Sequence, residues 1–347
     1  MRLVNLLFVF VLAPFIGLGI AFVDFELKAQ DMSLPFKGLN ASVETIEKDS
    51  KYLWQNVTIL NRSAVEQDRN YKDQNRVLGN LAAKSQSQKE MSDQIYEDRI
   101  LSMLGPPIGI HRSARVEIKV FKLDELGYRG YIAKLKLFDP SAFNVLLAAG
   151  GLGRRETTER AVARTGAVLG INGGGFYTAV SNGVQQAYPI GNTVIEGKFV
   201  GGFNPSSEVF FSGISKSGKF IGGTFTDYAA LANLEPWQGV SFLPVLIKGG
   251  KPLKVPGEWA TTKQPRTIIG EYANGDLIMI VVDGRQSDWS SGVTLERLQD
   301  KLAELGVKEG YNLDGGGSST FIFKGQVLNR PSDGEHRPVV TNIIIRP

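Results

Sequence analysis

The sequence predicts an α+β fold: a strand-rich, mixed-sheet domain with few helices, preceded by a transmembrane helix and a long coiled-coil-like helix. Three observations predict it. Residues 3–23 are almost wholly apolar, residues 38–104 carry an apolar period of 3.5, and short β-rich runs punctuated by glycine fill 115–347. Forty glycines against 15 prolines suit a turn-rich, strand-heavy chain. Strands outnumber helices without alternating with them, which favours α+β over a doubly wound sheet.

Leu3 to Val23 is interrupted only by Asn5, Pro14 and glycines. Its length is close to the roughly 20 residues that cross a bilayer as a helix. A secretory apolar core is shorter, and Ala29 offers only a weak cleavage-like end. An uncleaved signal anchor over 1–23 is therefore favoured over a removed signal peptide, with a buried helix as third option. A linker follows over 24–37. Such a chain is expected in the cell membrane as a single-pass protein, held through residues 3–23, with its carboxyl-terminal part outside the cytoplasm. Arg2 is the one charge before the run, so the orientation argument is thin.

Steps of four and three from Leu39 reach Val43, Ile46, Leu53, Val57, Leu60 and Tyr71, then Leu78, Leu81 and Ile95 among polar residues. That spacing is the coiled-coil signature, so 38–104 is read as a stalk that makes the chain a homo-oligomer through residues 39–95. As a helix this seam spans about 85 Å at 1.5 Å per residue. The competing reading is one amphipathic helix folded back on the following domain. Gly105-Pro106-Pro107 ends the helix, because proline lacks a donor and restricts the residue before it. Residues 105–114 form a second linker.

The domain over 115–347 carries ten expected strands: Val116–Phe121, Tyr131–Leu137, Val145–Leu147, Val168–Ile171, Val209–Phe211, Phe242–Ile247, Thr267–Glu271, Leu277–Val282, Phe321–Phe323 and Ile343–Ile345. Ala273-Asn274-Gly275-Asp276 reads as a hairpin turn. Two helices are expected, Thr158–Thr165 and Thr294–Leu305, the second with leucines on one face and Gly306 as its stop.

Composition excludes several classes. A net charge of +4 without a basic block gives no nucleic-acid footprint. With no cysteine and two histidines, disulfides, thiolate nucleophiles and a histidine-rich zinc site are excluded or disfavoured. Gly150-Gly151-Leu152-Gly153 lacks the spacing of a dinucleotide fingerprint, and no Gly-x-Ser-x-Gly elbow is present. His336 reads as turn trim. Trp237, Trp259 and Trp289 fall in loop-like stretches where one could stack on a sugar, although packing is the plainer role.

Four polar points interrupt the strands. They are Asn172-Gly173-Gly174-Gly175, Pro265-Arg266-Thr267, Asp283-Gly284-Arg285 and Asn312-Leu313-Asp314-Gly315-Gly316-Gly317-Ser318-Ser319-Thr320. Arg266 and Arg285 can bind phosphate or carboxylate in bidentate fashion. The N–H groups of Gly315, Gly316 and Gly317 and the hydroxyls of Ser318 and Ser319 can complete an anion cradle. Asp283 and Asp314 form a candidate carboxylate pair of the kind glycosyl transfer uses. Asn172 can orient a sugar hydroxyl without bringing charge. Gly173, Gly174, Thr267, Gly284 and Asn312 are the flanking candidates for substrate contact. Nothing requires a metal, and a divalent cation bridging two aspartates and a phosphate is compatible with the set.

In this order, joined by Pro189-Ile190-Gly191 and Asn329-Arg330-Pro331, these motifs resemble the phosphodiester glycosidase family over about Val116 to Pro347. The resemblance implies hydrolysis of a sugar-1-phosphodiester in an envelope or exopolysaccharide glycan, freeing the sugar and leaving a phosphomonoester. It implies that Arg266, Arg285 and the glycine nest hold phosphate. One of Asp283 and Asp314 then activates water or attacks the anomeric carbon, and the sequence leaves open which. Two other functions stay open: a non-catalytic glycan-binding or assembly scaffold, and a phosphodiesterase that breaks P–O.

Overall fold

A computed structural model describes residues 14–16, 18, 36–181 and 183–347. Its contacts divide the chain into two units, 1–87 and 88–347. In the first unit, residues 36–87 are helical, and the seam positions Val43, Ile46, Leu53 and Leu60 are all exposed. The helix as a whole, α1 (Phe36–Leu104), has 69 residues. It ends where Gly105 adopts φ 73° and donates to the Leu101 carbonyl at 2.9 Å, a left-handed glycine cap.

The expected membrane span is corrected. Among the described residues no helix is long and apolar enough to cross a membrane, so single-pass anchoring and the cellular location drawn from it lose their support. α1 is long enough but carries charged residues at nearly every turn. Most of residues 3–23 lies outside the described residues.

The second unit runs through β1 (Gly109–Arg112), β2 (Val116–Glu125), β3 (Tyr128–Leu137), β4 (Phe143–Leu147), α2 (Thr158–Thr165) and β5 (Leu169–Asn172). Next come β6 (Phe176–Ser181), β7 (Val184–Pro189), β8 (Val194–Ile195), β9 (Lys198–Phe199), β10 (Ser206–Ser215), β11 (Phe220–Phe225), α3 (Tyr228–Ala232) and β12 (Pro236–Phe242). Then follow β13 (Val245–Lys248), β14 (Lys251–Pro252), α4 (Gly257–Ala260), β15 (Arg266–Tyr272), β16 (Leu277–Val282) and α5 (Leu295–Glu304). β17 (Val307–Asn312), β18 (Phe321–Phe323), β19 (Gln326–Val327) and β20 (Thr341–Ile345) complete it. The class is α+β as expected. The stretch expected as a linker, 105–114, contains β1.

The largest sheet has eight strands in the order β1-β2-β3-β16-β15-β17-β13-β14. Two five-stranded sheets, β11-β10-β12-β8-β9 and β19-β18-β5-β20-β4, and the hairpin β6-β7 accompany it. Where mixed sheets were expected, the pairings among the described strands are antiparallel. Alternation along β2 explains the layering. Val116, Ile118 and Val120 enter a core shared with β5, β18 and β20, while Phe121 and Leu123 enter a second core under α5.

The last turns of α1 belong to that second core. Ile100 is 1% exposed, and Tyr96 packs edge-on against Tyr272 while its hydroxyl donates to the Gly306 carbonyl at 2.7 Å. Glu97 pairs with Lys119 at 2.6 Å and with the buried Lys134, which also pairs with Asp276. The two lysines outweigh burial and hold the Glu97 carboxyl below its usual range.

Candidate active site

The ends of β5, β15, β16 and β17 bring the expected residues into one neighbourhood. Asn172, fully buried at the end of β5, ties three of these segments together. Its amide donates to the Asp314 carbonyl at 2.6 Å, and its side-chain oxygen accepts from Thr267 Oγ1 at 2.8 Å and from Thr320 N at 3.1 Å. These bonds engage both ends of its side chain within the protein. The amide expected to orient a sugar is built as a clamp on the loop that carries Asp314. Gly173 continues the clamp, accepting from Asp314 N at 3.3 Å, and any Cβ there would lie 2.5 Å from Thr341 Oγ1. Gly174 donates to Thr341 Oγ1 at 3.1 Å.

Asp314 stands at the lip of a turn whose next residues form a short 3-10 helix, Gly316–Ser318. Burial pushes its carboxyl up to about 6, against the pulls of the Ser318 hydroxyl, the Arg337 guanidinium and the Gly315 N–H. Ser318 Oγ lies near enough to act on that charge, yet neither it nor Ser319 Oγ completes a hydrogen bond of normal geometry, and both residues are at least 98% buried. The three-glycine cradle is narrower than expected, because Gly316 N donates to the Pro265 carbonyl at 2.9 Å.

Asp283, at the end of β16, is surrounded differently. Trp289 Nε1 donates to its Oδ2 at 2.8 Å, and Asn329 Nδ2 and Arg330 N donate to its Oδ1 at 3.0 and 2.9 Å. It is 1% exposed, and burial outweighs these three donors enough to hold its carboxyl above the usual range. With both oxygens engaged, Asp283 is not disposed to share a bridging cation with Asp314, so the two-aspartate metal arrangement does not fit the donor set. Among the described residues no group of three or more acidic or histidine side chains is placed to hold a metal. Trp289 carries Arg330 at 4.1 Å and Arg129 at 4.6 Å from its ring centre, so arginines pack where a stacked sugar was considered.

The two expected arginines lie close together. Arg266 is 4% exposed and donates to the carbonyls of Thr262 at 2.9 Å and Val293 at 3.4 Å, with Trp259 beside it. Burial and the charge of Arg285 lower it to about 10, and no carboxylate pairs with it among the described residues. Arg285 follows Asp283 and Gly284 with φ 63°, an uncommon conformation for a side-chain-bearing residue. It donates to Gln264 Oε1 at 2.8 Å, and its guanidinium lies 3.1 Å from where a Cβ on Gly316 would be. Asn312 donates to the Leu243 carbonyl at 2.7 Å and leaves its buried Oδ1 without a partner.

The sequence did not single out Asp333 or Arg337. Arg337 meets Asp333 Oδ2 at 2.7 Å, and Arg285 lies 3.6 Å from Asp333 Oδ1. Both residues sit in a Ser-Asp-Gly and His-Arg-Pro stretch that reads as turn trim. The signal that places them, pairing with Arg285 and Gly317, is not local.

Comparison with known proteins gives the family. The phosphodiester glycosidase family matches residues 165–346. An SPbeta prophage-derived uncharacterized protein of Bacillus subtilis, YomE, is 32% identical over 200 residues, 56% of this chain and 30% of that protein. The mouse N-acetylglucosamine-1-phosphodiester alpha-N-acetylglucosaminidase is 26% identical over 246 residues, 65% of this chain and 46% of the mouse protein. The chain thus spans less than half the length of these curated relatives. Among solved structures, the zebrafish N-acetylglucosamine-1-phosphodiester alpha-N-acetylglucosaminidase catalytic domain, auto-inhibited by its pro-peptide, shares the fold. Its TM-score is 0.55 at 24% identity, covering 68% of this chain and 85% of the zebrafish domain.

Proposed function

Because the chain belongs to the phosphodiester glycosidase family, we propose that it hydrolyses sugar-1-phosphodiesters. The substrate class is N-acetylglucosamine-1-phosphodiester-like, carried on an envelope or exopolysaccharide glycan. Water attacks the anomeric carbon, the C–O bond to phosphate breaks, and the phosphate stays on the other partner as a phosphomonoester. That leaving group is already acidic, so its departure needs charge stabilisation more than protonation. Arg266 and Arg285 supply the charge, with the Ser318 and Ser319 hydroxyls and the Gly315–Gly317 turn beside them. Thr267, Gly173, Gly174 and Asn312 shape the walls.

Asp314 is the reacting carboxylate, taking the proton from water or attacking the anomeric carbon itself. The observation that carries this assignment is the contrast in partners. Burial holds Asp314 up to about 6 against the pulls of Ser318, Arg337 and Gly315, whereas three hydrogen bonds engage both oxygens of Asp283. A base poised near the working pH is what proton transfer requires. Asp283 positions the Asn329–Arg330 segment, and Asn172 positions the Asp314 loop. Self-association through the exposed seam of 39–95 belongs to the same proposal, and a monomer in light scattering of the full chain would contradict that part.

The experiment is hydrolysis of an N-acetylglucosamine-1-phosphodiester by the purified full chain in oxygen-18 water, with and without chelator. Label in the released sugar is expected. Label in phosphate would replace the glycosidase by a P–O phosphodiesterase, and no turnover would favour a binding scaffold.

A further inference from the structure

The turn after Asn329-Arg330 places a carboxylate against the face assigned to phosphate. Gln286, the residue after Arg285, anchors the base of this turn by donating to the Arg330 and Pro331 carbonyls, each at 3.2 Å. Gly334 closes it at φ 78°, donating to Pro331 O at 3.2 Å. Asp333 then projects toward the glycine turn: a Cβ on Gly317 would fall 2.1 Å from Asp333 Oδ2 and 2.3 Å from the Arg337 guanidinium. Its two oxygens face the two cations there, Arg337 at 2.7 Å and Arg285 at 3.6 Å. Among the described residues, only Ser332 Oγ, at 3.0 Å, adds a further hydrogen bond to it.

We propose that Asp333 is an internal placeholder for the substrate's phosphate, and that Arg337 is a phosphate-binding residue of this site. The proposal rests on the reading of this turn as the phosphate side of the pocket. A carboxylate between two guanidiniums presents one oxygen to each, as two oxygens of a phosphate could. It relieves their mutual repulsion while the site is empty. Asp333 is 35% exposed and Arg285 and Arg337 are 44% and 42% exposed, so the carboxylate can swing to water when the phosphodiester anion, or the phosphomonoester it leaves, takes its place. Arg337 is also the cation that acts on the Asp314 carboxyl. It would therefore tie the leaving phosphate to the reacting group, whereas Arg266 lies deeper beside Trp259.

The alternative role for Asp333 is to orient the two arginines, and it predicts the opposite sign. Titration calorimetry of the full chain with inorganic phosphate at fixed ionic strength separates the two. If Asp333 is a placeholder, Asp333→Asn binds phosphate about fivefold tighter than the natural chain, the scale of one partly exposed ion pair. Adding Arg337→Met to that variant removes the gain. Affinity that is unchanged, weaker, or undetectable in both chains overturns the proposal. If hydrolysis fails but Asp333→Asn still gains phosphate affinity, the proposed reaction falls and the placeholder stands. Hydrolysis without that gain removes the placeholder alone.

Discussion

Two strand ends carry an aspartate followed by glycine, and the protein treats them in opposite ways. At the end of β16, Asp283 is 1% exposed, and three donors converge on its two oxygens. At the end of β17, the carboxyl of Asp314 is pushed up to about 6, chiefly by burial. Burial raises both carboxyls, and they differ in how it is opposed: three hydrogen bonds reach the oxygens of Asp283, whereas Asp314 feels the Ser318 hydroxyl, the Arg337 charge and the Gly315 N–H. A carboxylate that is satisfied holds structure together. One that burial holds up to about 6 keeps its basicity for a reaction, and the fold bears the cost.

The largest effect expected is on turnover at the Asp314 end. Asp314→Asn should lower the hydrolysis rate by about a hundred- to ten-thousandfold, the range for losing a positioned base. Retained rate in steady-state assays would move the chemistry elsewhere. At the Asp283 end the expected effect is structural. Asn329→Ala removes donors to Asp283 Oδ1 and the Ser319 carbonyl and the acceptor for Phe321 N. It should cost about 1–3 kcal/mol in denaturant unfolding, the scale of unsatisfied buried polar groups.

The smallest effects are in pH dependence. If Asp314 must be ionised, kcat/KM rises through pH about 6, and the limb disappears with the base. Stability moves the other way. The folded chain holds the Asp314 proton more tightly than the unfolded chain, whose carboxyl titrates near 4. The contribution of this group is therefore fully present below about pH 4 and lost as pH rises through about 6. Unfolding curves of the natural chain and Asp314→Asn between those pH values should diverge as pH rises. Parallel curves would mean that the carboxyl is not held up.

Much of this was legible in sequence where the signal was local. The expected apolar runs lie in strands, and Thr158–Thr165 is helical as read. Phe242–Ile247 fails as one strand because Pro244 cannot donate to a ladder. The chain crosses there from β12 in a five-stranded sheet to β13 in the largest one. β17 is absent from the expected strands, since Lys308 and Glu309 hide its start. The 3.5 period carried the apolar seam to Ile95, yet Ile95 is 65% exposed and Ile100, off that seam, is buried. The domain, not the heptad, chooses which face of the last turns is covered. In the site, residue types were readable and their roles were not. Asn172 meets partners 95, 142 and 148 positions away, and no spacing rule distinguishes an amide that orients a sugar from one that clamps a loop.

The contrast between the two aspartates is tested most directly by equilibrium unfolding of Asp314→Asn and Asp283→Asn at pH 7. Removing the charge at Asp314 relieves a buried carboxylate and should stabilise the fold by about 1–3 kcal/mol. Removing it at Asp283 leaves an amide N–H facing a donor, from Trp289 or from the Asn329–Arg330 segment, and should destabilise by a similar amount. Shifts of the same sign in both variants would contradict the division between a reacting and a positioning carboxylate.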